Sequence, residues 1–266
     1  MSRVSERLTG RMNEVVVKQR TDAPEGFFEA EAAGLAWLAA AEGARTVRVV
    51  EKGPGRIAVE RLHEVRPTVE HAEEFGRRLA RTHDAGAPAF GSPPGGWAGP
   101  HFIGSRAQEC RPEPSWGRFF AEQRVQPFAA IARDIGDLRA DEHALVLAAC
   151  ERLRAGELDD GEPPARLHGD LWTGNVLWTA RGAVLIDPAA HGGHRETDLA
   201  MLALFGLPHL DAVLAGYASE HPLRAGWRQR VPLHQLHPLA VHAAGHGRHY
   251  GVALAEAAEA ALALPG

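Results

Sequence analysis

Cysteine is almost absent from this chain of 266 residues, in which only Cys110 and Cys150 occur. Two cysteines cannot build a disulfide framework, and no second cysteine pair completes a zinc site. Long hydrophobic runs are also missing, because no stretch approaches the roughly 20 apolar residues of a membrane span. The N-terminus leads into no apolar signal-peptide core. We therefore expect a soluble, cytoplasmic protein that does not act at a membrane.

Clusters of positive charge are missing as well. The formal net charge is -5 at pH 7 and no run of basic residues occurs, which argues against a nucleic-acid-binding surface. Hydrophobic residues, by contrast, make up 45% of the chain, enough to fill the core of one large or two modest domains. These properties favour an enzyme with a small-molecule substrate.

Lysine is the rarest charged residue: among 29 basic residues, only Lys18 and Lys52 are lysines. Lys52 lies in a turn that contains Gly-Pro-Gly, where a solvated charge is the simplest interpretation. Lys18 ends an apolar run of three valines, a position typical of a strand. We therefore expect Lys18, rather than Lys52, to have a specific role.

Residues 1–62 are predicted to form a small β-rich lobe. Strands alternate there with turn residues, and one segment carries apolar residues at helical spacing until Gly43 ends it. The predicted elements are strands at 3–8 and 14–18, a helix at 28–41, and strands at 46–51 and 56–62.

Residues 63–266 are predicted to form a larger, mainly helical lobe, so the fold class is α+β. A loop at 91–104 is rich in Gly and Pro and is expected to be exposed or to shape a cleft. Helices are predicted at 69–85, 116–135, 140–155 and 253–264.

The strongest chemical signal lies between residues 167 and 188. Asp170 and Asn175 lie in a polar loop, and Asp187 ends the β-hairpin that follows it. Phosphoryl transfer needs an acceptor for the proton of the substrate hydroxyl and cations across the phosphates of ATP. Oxygen ligands suit Mg²⁺. The spacing is that of kinase catalytic and metal-binding loops, so Asp170 is the predicted base and Asn175 and Asp187 the predicted metal ligands.

Each of these three residues also has a plain structural interpretation. Asp170 could be a turn residue, Asn175 a cap, and Asp187 an Asx turn before a proline. The three together, after a β-rich lobe with a strand lysine, favour the catalytic interpretation.

The N-terminal lobe offers residues that could position a nucleotide. Glu31 falls on the apolar face of its predicted helix, an awkward place for an acid unless it has a partner. Lys18 is the expected partner and would contact the α- and β-phosphates, although Glu31 could also be a surface charge. Glu60 and Leu62, at the junction of the lobes, are predicted from position alone to offer backbone groups to the adenine edge.

Three segments make the sequence similar to the fructosamine kinase (ketosamine 3-kinase) family. They are His-Gly-Asp-Leu-Trp-Thr-Gly-Asn at 168–175, Leu-Ile-Asp-Pro-Ala at 185–189, and Gly-His-Arg-Glu-Thr-Asp-Leu-Ala-Met at 193–201. Related aminoglycoside phosphotransferase-like kinases share only His-Gly-Asp and Ile-Asp. The resemblance implies a protein-kinase-like two-lobe fold and ATP-dependent, Mg²⁺-assisted phosphorylation of the 3-hydroxyl of a ketosamine, in deglycation. Ribulosamines and erythrulosamines are the favoured substrates by the same resemblance.

The resemblance also implies a set of substrate residues. His194, Arg195 and Glu196 match the place where the family lines its sugar pocket, although Arg195 could instead pair with Glu196 or Asp198. Trp172 could stack on the sugar or wedge the catalytic loop. Asp198 is expected to support the catalytic loop rather than to touch substrate.

In one respect the sequence departs from the family pattern. Members normally begin with an extra helix, a first strand and a Gly-rich turn over the phosphates, whereas residues 1–4 align with the middle of that turn. Either the natural chain starts further upstream, or the protein is shortened and binds ATP weakly. We expect an upstream extension that contains Gly-Gly.

Three other interpretations remain open on the sequence alone. The first is a zinc site among the histidines at 234, 237, 242, 246 and 249, which no neighbouring acid supports. The second is a nucleotide-binding scaffold without catalysis, and the third is a kinase for an aminoglycoside, choline or another small alcohol. The oligomeric state is not predicted.

Overall fold

The computed structural model describes residues 14–266, and these form an α+β fold as predicted. The N-terminal lobe is a three-stranded antiparallel sheet, in the order β1-β4-β3, against which helix α1 packs. The predicted strand at 3–8 and the Gly-rich turn lie outside the described residues. The elements of this lobe are β1 (Val15–Gln19), α1 (Phe27–Ala39), β2 (Arg45–Thr46), β3 (Val49–Gly53) and β4 (Arg56–Glu60).

Helix α1 confirms the helix predicted at 28–41. It begins after Gly26, whose φ of 79° lies in the left-handed region that glycine tolerates. Apolar side chains recur every three or four residues, and Phe28 and Leu35 pack against Ile57 of the sheet. This packing turns the face with Glu31 towards the strand that carries Lys18.

The single strand predicted at 46–51 is wrong, because two different strands occupy this segment. β2 pairs in parallel with β9 (Gly182–Leu185) in the following lobe, whereas β3 pairs with β4. Between them, buried Val47 donates its N–H to the carbonyl of Leu185 at 2.9 Å. The apolar pattern could not reveal that the chain changes its pairing partner.

The larger lobe is mainly helical, as predicted. Its helices are α2 (Val69–Asp84), α3 (Trp116–Phe119), α4 (Gln126–Asp134), α5 (Ala140–Arg154), α6 (Arg195–Leu204), α7 (Leu210–Glu220), α8 (Trp227–Ala243) and α9 (Arg248–Leu262). Its remaining strands are β5 (Phe102–Ile103), β6 (Arg106–Ala107), β7 (Ala165–Leu167), β8 (Val176–Thr179) and β10 (His191–Gly193).

The long helix predicted at 116–135 is divided into three pieces. A π-helical turn, Phe120–Val125, separates α3 from α4, and Pro127 stands in the first turn of α4. Proline has no N–H to donate, which accounts for the interrupted α-helical ladder at this point. The helix predicted at 253–264 is longer than expected and begins at Arg248.

Helices α2 and α7 cross at very short distance because glycines face each other. A Cβ atom at Gly76 would lie 1.9 Å from the carbonyl oxygen of Val213, and one at Gly216 would lie 2.0 Å from that of Glu73. The close crossing brings Tyr217 of α7 next to α2. Within residues 14–266, no helix has both the length and the apolar character needed to cross a membrane.

Candidate active site

A cavity of about 370 Å³ lies between the two lobes. Its lining includes five of the residues singled out in the sequence, which come from β1, α1 and the segment around the β8–β9 hairpin: Lys18, Glu31, Asp170, Asn175 and Asp187. Residues separated by up to 169 positions in the chain are thus brought to one cleft. Trp172 also lines it.

Lys18 joins the two lobes through its ammonium group. It donates to Glu31 Oε1 at 2.7 Å and also contacts Asp187 Oδ1. Burial tends to lower the pKa of Lys18, but the charges and hydrogen bonds of the two carboxylates outweigh burial and raise it. Burial raises the pKa of Glu31, an effect that Lys18 opposes. The predicted Lys18–Glu31 pair is therefore formed, and Lys18 is a cation aimed into the cleft.

Asp187 has an unusual backbone conformation. Its φ of 53° lies in the left-handed region, where a residue other than glycine is strained. The residue lies two positions after the end of the antiparallel β8–β9 hairpin, and the N–H of the intervening Ile186 donates to the carbonyl of Asn175 at 3.1 Å. This strained position carries the Asp187 carboxylate to the side of the cleft that holds Lys18.

Asn175 connects the two aspartates. Its Nδ2 donates to the carbonyl of Asp170 at 2.7 Å, to Asp170 Oδ2 at 3.3 Å and to the carbonyl of Asp187 at 3.5 Å. Because the amide nitrogen makes these bonds, the amide oxygen is the atom that could bind a cation.

Asp170 is partly buried in the cleft, and its acidity is strongly perturbed. Burial is the main cause that raises its pKa to about 7, and the charges of Asp187 and Asp198 add to the effect. The hydrogen bond from Asn175 opposes this shift. A carboxylate whose pKa lies near 7 is well matched to accept a proton from a hydroxyl at neutral pH.

Asp198 supports the backbone of the loop that carries Asp170, as expected from the sequence. Its buried carboxylate accepts the N–H of His168 at 2.8 Å and that of Gly169 at 3.0 Å. Burial alone would raise the pKa of Asp198, but His83 and His168 lower it. Glycine is required at 169, where φ is 81° and a Cβ atom would lie 2.2 Å from the carbonyl oxygen of Ala189.

A buried hydrogen-bond chain supports Asp198 and was not predicted. Arg195 Nη1 donates to the hydroxyl of Tyr217 at 3.0 Å, and this hydroxyl bonds to His83 Nδ1 at 2.7 Å. His83 Nε2 lies 3.2 Å from Asp198 Oδ2. Burial lowers the pKa of His83, so the ring is neutral at pH 7 and passes one hydrogen bond on to Asp198. Only the helical spacing of His83 hinted at its buried position.

The residues predicted to line the sugar pocket lie in the protein interior. His194, Arg195 and Glu196 are each less than 5% exposed, and none of them lines the cleft. Arg195 donates to Glu162 at 2.6 Å and to Asp84 at 2.9 Å, rather than to its near neighbours in sequence. The three residues lie at the start of α6. This part of the helix is buried, so their charged or polar groups pair with other buried or half-buried groups.

Three buried side chains around His194 are close enough together to hold a metal ion. One ligand atom from each of His194, Glu196 and His234 lies within 4.8 Å of the others. Arg230 already donates to both carboxylate oxygens of Glu196, at 2.5 and 3.0 Å. Burial would raise the pKa of Glu196, but the hydrogen bonds from His234 and Arg230 lower it to about 2. A guanidinium thus supplies the positive charge, and we interpret the cluster as structural.

Trp172 lies two residues after Asp170, and both roles considered for it stay predictions. The residue is 38% exposed, and its ring covers Gly174, where a Cβ atom would lie 2.3 Å from the ring. Phe205 packs on Trp172 with ring centroids 6.0 Å apart, and His242 lies 4.8 Å from Phe205. These ring contacts connect Trp172 to α8.

The adenine-edge residues lie away from the cavity lining. Glu60 ends β4, and its carboxylate accepts the N–H of Arg48 at 3.0 Å, while Leu62 packs on the N-terminal core. Their predicted role stays a prediction.

Comparisons with known proteins agree with this geometry. A model of the fructosamine kinase family matches residues 3–263. A crystal structure assigned as a fructosamine-3-kinase from Thermobifida fusca is 46% identical, with a TM-score of 0.86 over 94% of this chain and 86% of its own. An Enterococcus faecium protein assigned as a ketoamine kinase is 30% identical over 237 residues, 88% of this chain and 83% of its own.

A more distant likeness concerns the fold alone. The choline kinase LicA from Streptococcus pneumoniae is 15% identical and has a TM-score of 0.63, over 95% of this chain and 88% of its own. The protein-kinase-like fold expected from the sequence is thus confirmed. The chain belongs to the fructosamine kinase family and is a phosphotransferase that acts on an alcohol group.

Proposed function

We propose that the protein transfers the γ-phosphate of ATP to the 3-hydroxyl of ketosamines. The observation that carries this proposal is the meeting of Asp170, Asn175, Asp187 and Lys18 in one cleft of a chain from the fructosamine kinase family. The assignment of the Thermobifida fusca relative as a fructosamine-3-kinase supports the choice of the 3-hydroxyl. Ribulosamine, erythrulosamine and fructosamine adducts are the proposed substrates, either free or bound to protein.

Asp170 is the proposed base. It orients the 3-hydroxyl of the sugar and accepts its proton as the oxygen attacks the γ-phosphorus. Its pKa of about 7 in the free protein means that a substantial fraction is ionised at neutral pH. Asn175 donates to Asp170 and so holds the carboxylate in position.

Asn175 and Asp187 are the proposed ligands of Mg²⁺. The amide oxygen of Asn175 and the carboxylate of Asp187 are hard oxygen donors, the type that Mg²⁺ prefers together with phosphate oxygens and waters. Asp187 also meets a cation, Lys18, in this structure, so its carboxylate lies where positive charge is accommodated. When bound, Mg²⁺ neutralises the charge of the phosphates during transfer.

Lys18 is proposed to contact the α- and β-phosphates, with Glu31 fixing its ammonium group. Glu60 and Leu62 keep their proposed place at the adenine edge. On the acceptor side, the exposed ring of Trp172 stacks on the sugar next to Asp170.

Deglycation is the proposed role. A phosphate on the oxygen of C3 is a good leaving group, and it stands next to the carbonyl carbon of the ketosamine. Loss of a proton from C1 gives an enaminol that expels the phosphate from C3. Water then hydrolyses the imine left at C1 and so releases the amine.

The test is incubation of the full chain with Mg-ATP and a panel of synthetic lysine ketosamines, followed by phosphorus NMR. We expect a new phosphomonoester signal coupled to the proton on C3, and its loss in Asp170→Asn. Transfer only to choline or an aminoglycoside would replace the ketosamine with another alcohol. ATP binding without transfer to any acceptor would support a nucleotide-binding scaffold instead.

A further inference from the structure

A short segment of the larger lobe reaches across to the N-terminal lobe. We call residues 97–107 the strap; it comprises the end of the Gly- and Pro-rich loop and the β5–β6 hairpin, in which Phe102 pairs with Ala107. His101 and Phe102 of the strap line the catalytic cleft. The strap therefore touches both the active site and the helix that carries Glu31.

The strap packs on the first turn of α1. The rings of Phe102 and Phe27 have centroids 5.2 Å apart, and Phe27 begins the helix. At Gly26, the residue before the helix, a Cβ atom would lie 2.9 Å from Cγ of Pro100. A backbone-to-ring approach this close leaves no space for a side chain, so the strap fixes the start of α1.

The other side of the strap is attached to the larger lobe. Ile103 is 4% exposed and belongs to the main hydrophobic core. Arg106 donates to the carbonyl of Ala244, directly after α8. Within the strap, Trp97 Nε1 donates to the carbonyl of Pro100 at 3.0 Å. Ile103 and Arg106 thus attach the strap to the larger lobe, while Pro100 and Phe102 pack on the start of α1.

The far end of α1 has a second attachment to the larger lobe. Arg166 of β7 donates to the carbonyl of Trp37 at 2.7 Å, and its guanidinium lies 4.6 Å from the centroid of the indole ring. Glu31 lies between the two attachments, one helical turn after Phe27 and on the same side of the helix. Phe27 and Glu31 both line the cleft.

We propose that Phe102 is a positioning residue that acts through Phe27 on the Lys18–Glu31 pair, and thereby sets the affinity for the nucleotide. The strap carries this effect from the larger lobe, where its Arg106 donates to the carbonyl of Ala244, to the first turn of α1. This inference rests on the proposed roles of Lys18 and Glu31. It goes beyond them by assigning the alignment of the pair to an aromatic contact between the lobes.

The test is a double-mutant cycle on nucleotide affinity. Dissociation constants for a non-hydrolysable ATP analogue with Mg²⁺ are measured by calorimetry for the wild type, Phe102→Ala, Glu31→Gln and the double variant. An aromatic pair contributes enough to predict an affinity loss of about two- to tenfold in Phe102→Ala. In the Glu31→Gln background the same change should add less than about twofold, because the two residues act through one contact.

Matched variants separate positioning from general destabilisation. Phe102→Tyr keeps the ring contact and should bind the nucleotide as the wild type does. Phe27→Leu removes the same ring contact by changing the partner of Phe102, so it should also weaken nucleotide binding. It therefore tests the contact even if Phe102→Ala folds poorly. Phe128→Leu removes a buried ring far from α1 and should lower the melting temperature without changing nucleotide affinity.

Two results would overturn the positioning role of Phe102. One is unchanged affinity in both Phe102→Ala and Phe27→Leu, and the other is full additivity of Phe102→Ala with Glu31→Gln. A different result would contradict the proposed function: if Lys18 and Glu31 do not position the nucleotide, Lys18→Ala and Glu31→Gln will leave nucleotide affinity unchanged. Since the measurement needs no acceptor, a wrong substrate assignment would not obscure the outcome.

Discussion

Two polar segments, residues 168–187 and 194–196, follow each other in the chain but have opposite environments. The first places Asp170, Asn175 and Asp187 in the lining of the cleft between the lobes. The second buries its three charged or titratable residues among ion pairs with distant partners. The two segments look equally functional in sequence. The difference teaches that a polar motif can serve a site either by contacting ligands or by holding the backbone that does.

The two segments are also connected. Asp198 accepts hydrogen bonds from the backbone of the catalytic loop, and the chain through His83 and Tyr217 leads back to Arg195. The buried segment therefore supports the exposed one at a distance. Substitutions in the first segment should remove most of the turnover while the protein stays folded, whereas those in the second should mainly reduce stability.

The largest effect is expected from Asp170→Asn. Removal of a general base lowers kcat by about 10²- to 10⁴-fold. At high pH, the Asp170→Asn variant should nevertheless be more stable than the wild type. The pKa of Asp170 is higher in the folded chain than in the unfolded chain, so ionisation destabilises the wild type as pH rises from about 4 to 7. Steady-state kinetics and thermal unfolding at pH 4 and pH 8 measure both quantities.

Asp134→Asn is the matched control, because Asp134 is an exposed acid on α4 that pairs only with its neighbour Arg133 in the described structure. It should change neither kcat nor the melting temperature appreciably. Turnover of Asp170→Asn near the wild-type rate would contradict the role of Asp170.

A second, smaller effect is expected from Arg195→Met, and it should concern stability. Glu162 would lose its closest partner while it remains buried, but Arg224 would still donate to it at 2.9 Å. Loss of a hydrogen bond to a charged group costs about 1.5–3 kcal/mol of unfolding free energy. Chemical denaturation measures this loss, and kcat is measured on the folded fraction. Arg118→Met, which removes an exposed pair with Glu122, should cost less than about 1 kcal/mol. A stable Arg195→Met variant with greatly reduced substrate affinity would instead restore the sugar-pocket prediction.

The smallest effect is expected from Tyr217→Phe, which removes one hydroxyl from the buried chain. Leaving His83 Nδ1 and Arg195 short of a partner should cost about 1–2 kcal/mol of unfolding free energy. We expect kcat to fall far less than in Asp170→Asn, because Asp198 keeps its bonds to the loop backbone. Denaturation midpoints and kinetics test this ranking, and a loss of turnover equal to that of Asp170→Asn would invert it.

Much of the fold was predictable because its signals are local. Helical spacing predicted α1, α2 and α5, and the turn residues at 180–182 predicted the β8–β9 hairpin. The separate pairing of β2 was not predictable, since parallel pairing with β9 depends on residues about 140 positions away. The π-helical turn before Pro127 could not be predicted either, because α8 contains Pro232 and Pro238 and is nevertheless continuous.

For the candidate site, the spacing of a motif predicted which residues meet, but not which of them are exposed. Lys18 and Glu31 were predicted as a pair because an acid on an apolar helix face needs a partner, and the structure contains that pair. The ion pairs of Arg195 could not be predicted from its near neighbours, because its partners, Glu162 and Asp84, come from other segments. Exposure is a property of the whole packing, so the motif at 194–196 carried no signal for it.

The pH dependence of kcat/KM tests the role of Asp170 most directly. The pKa of about 7 predicts that kcat/KM rises with pH until the carboxyl is ionised and then levels off above pH 7. In Asp170→Asn, the residual activity should lose this rise. A wild-type profile that is flat between pH 5 and pH 8, or a rise that persists in Asp170→Asn, would contradict the assignment of Asp170 as the base.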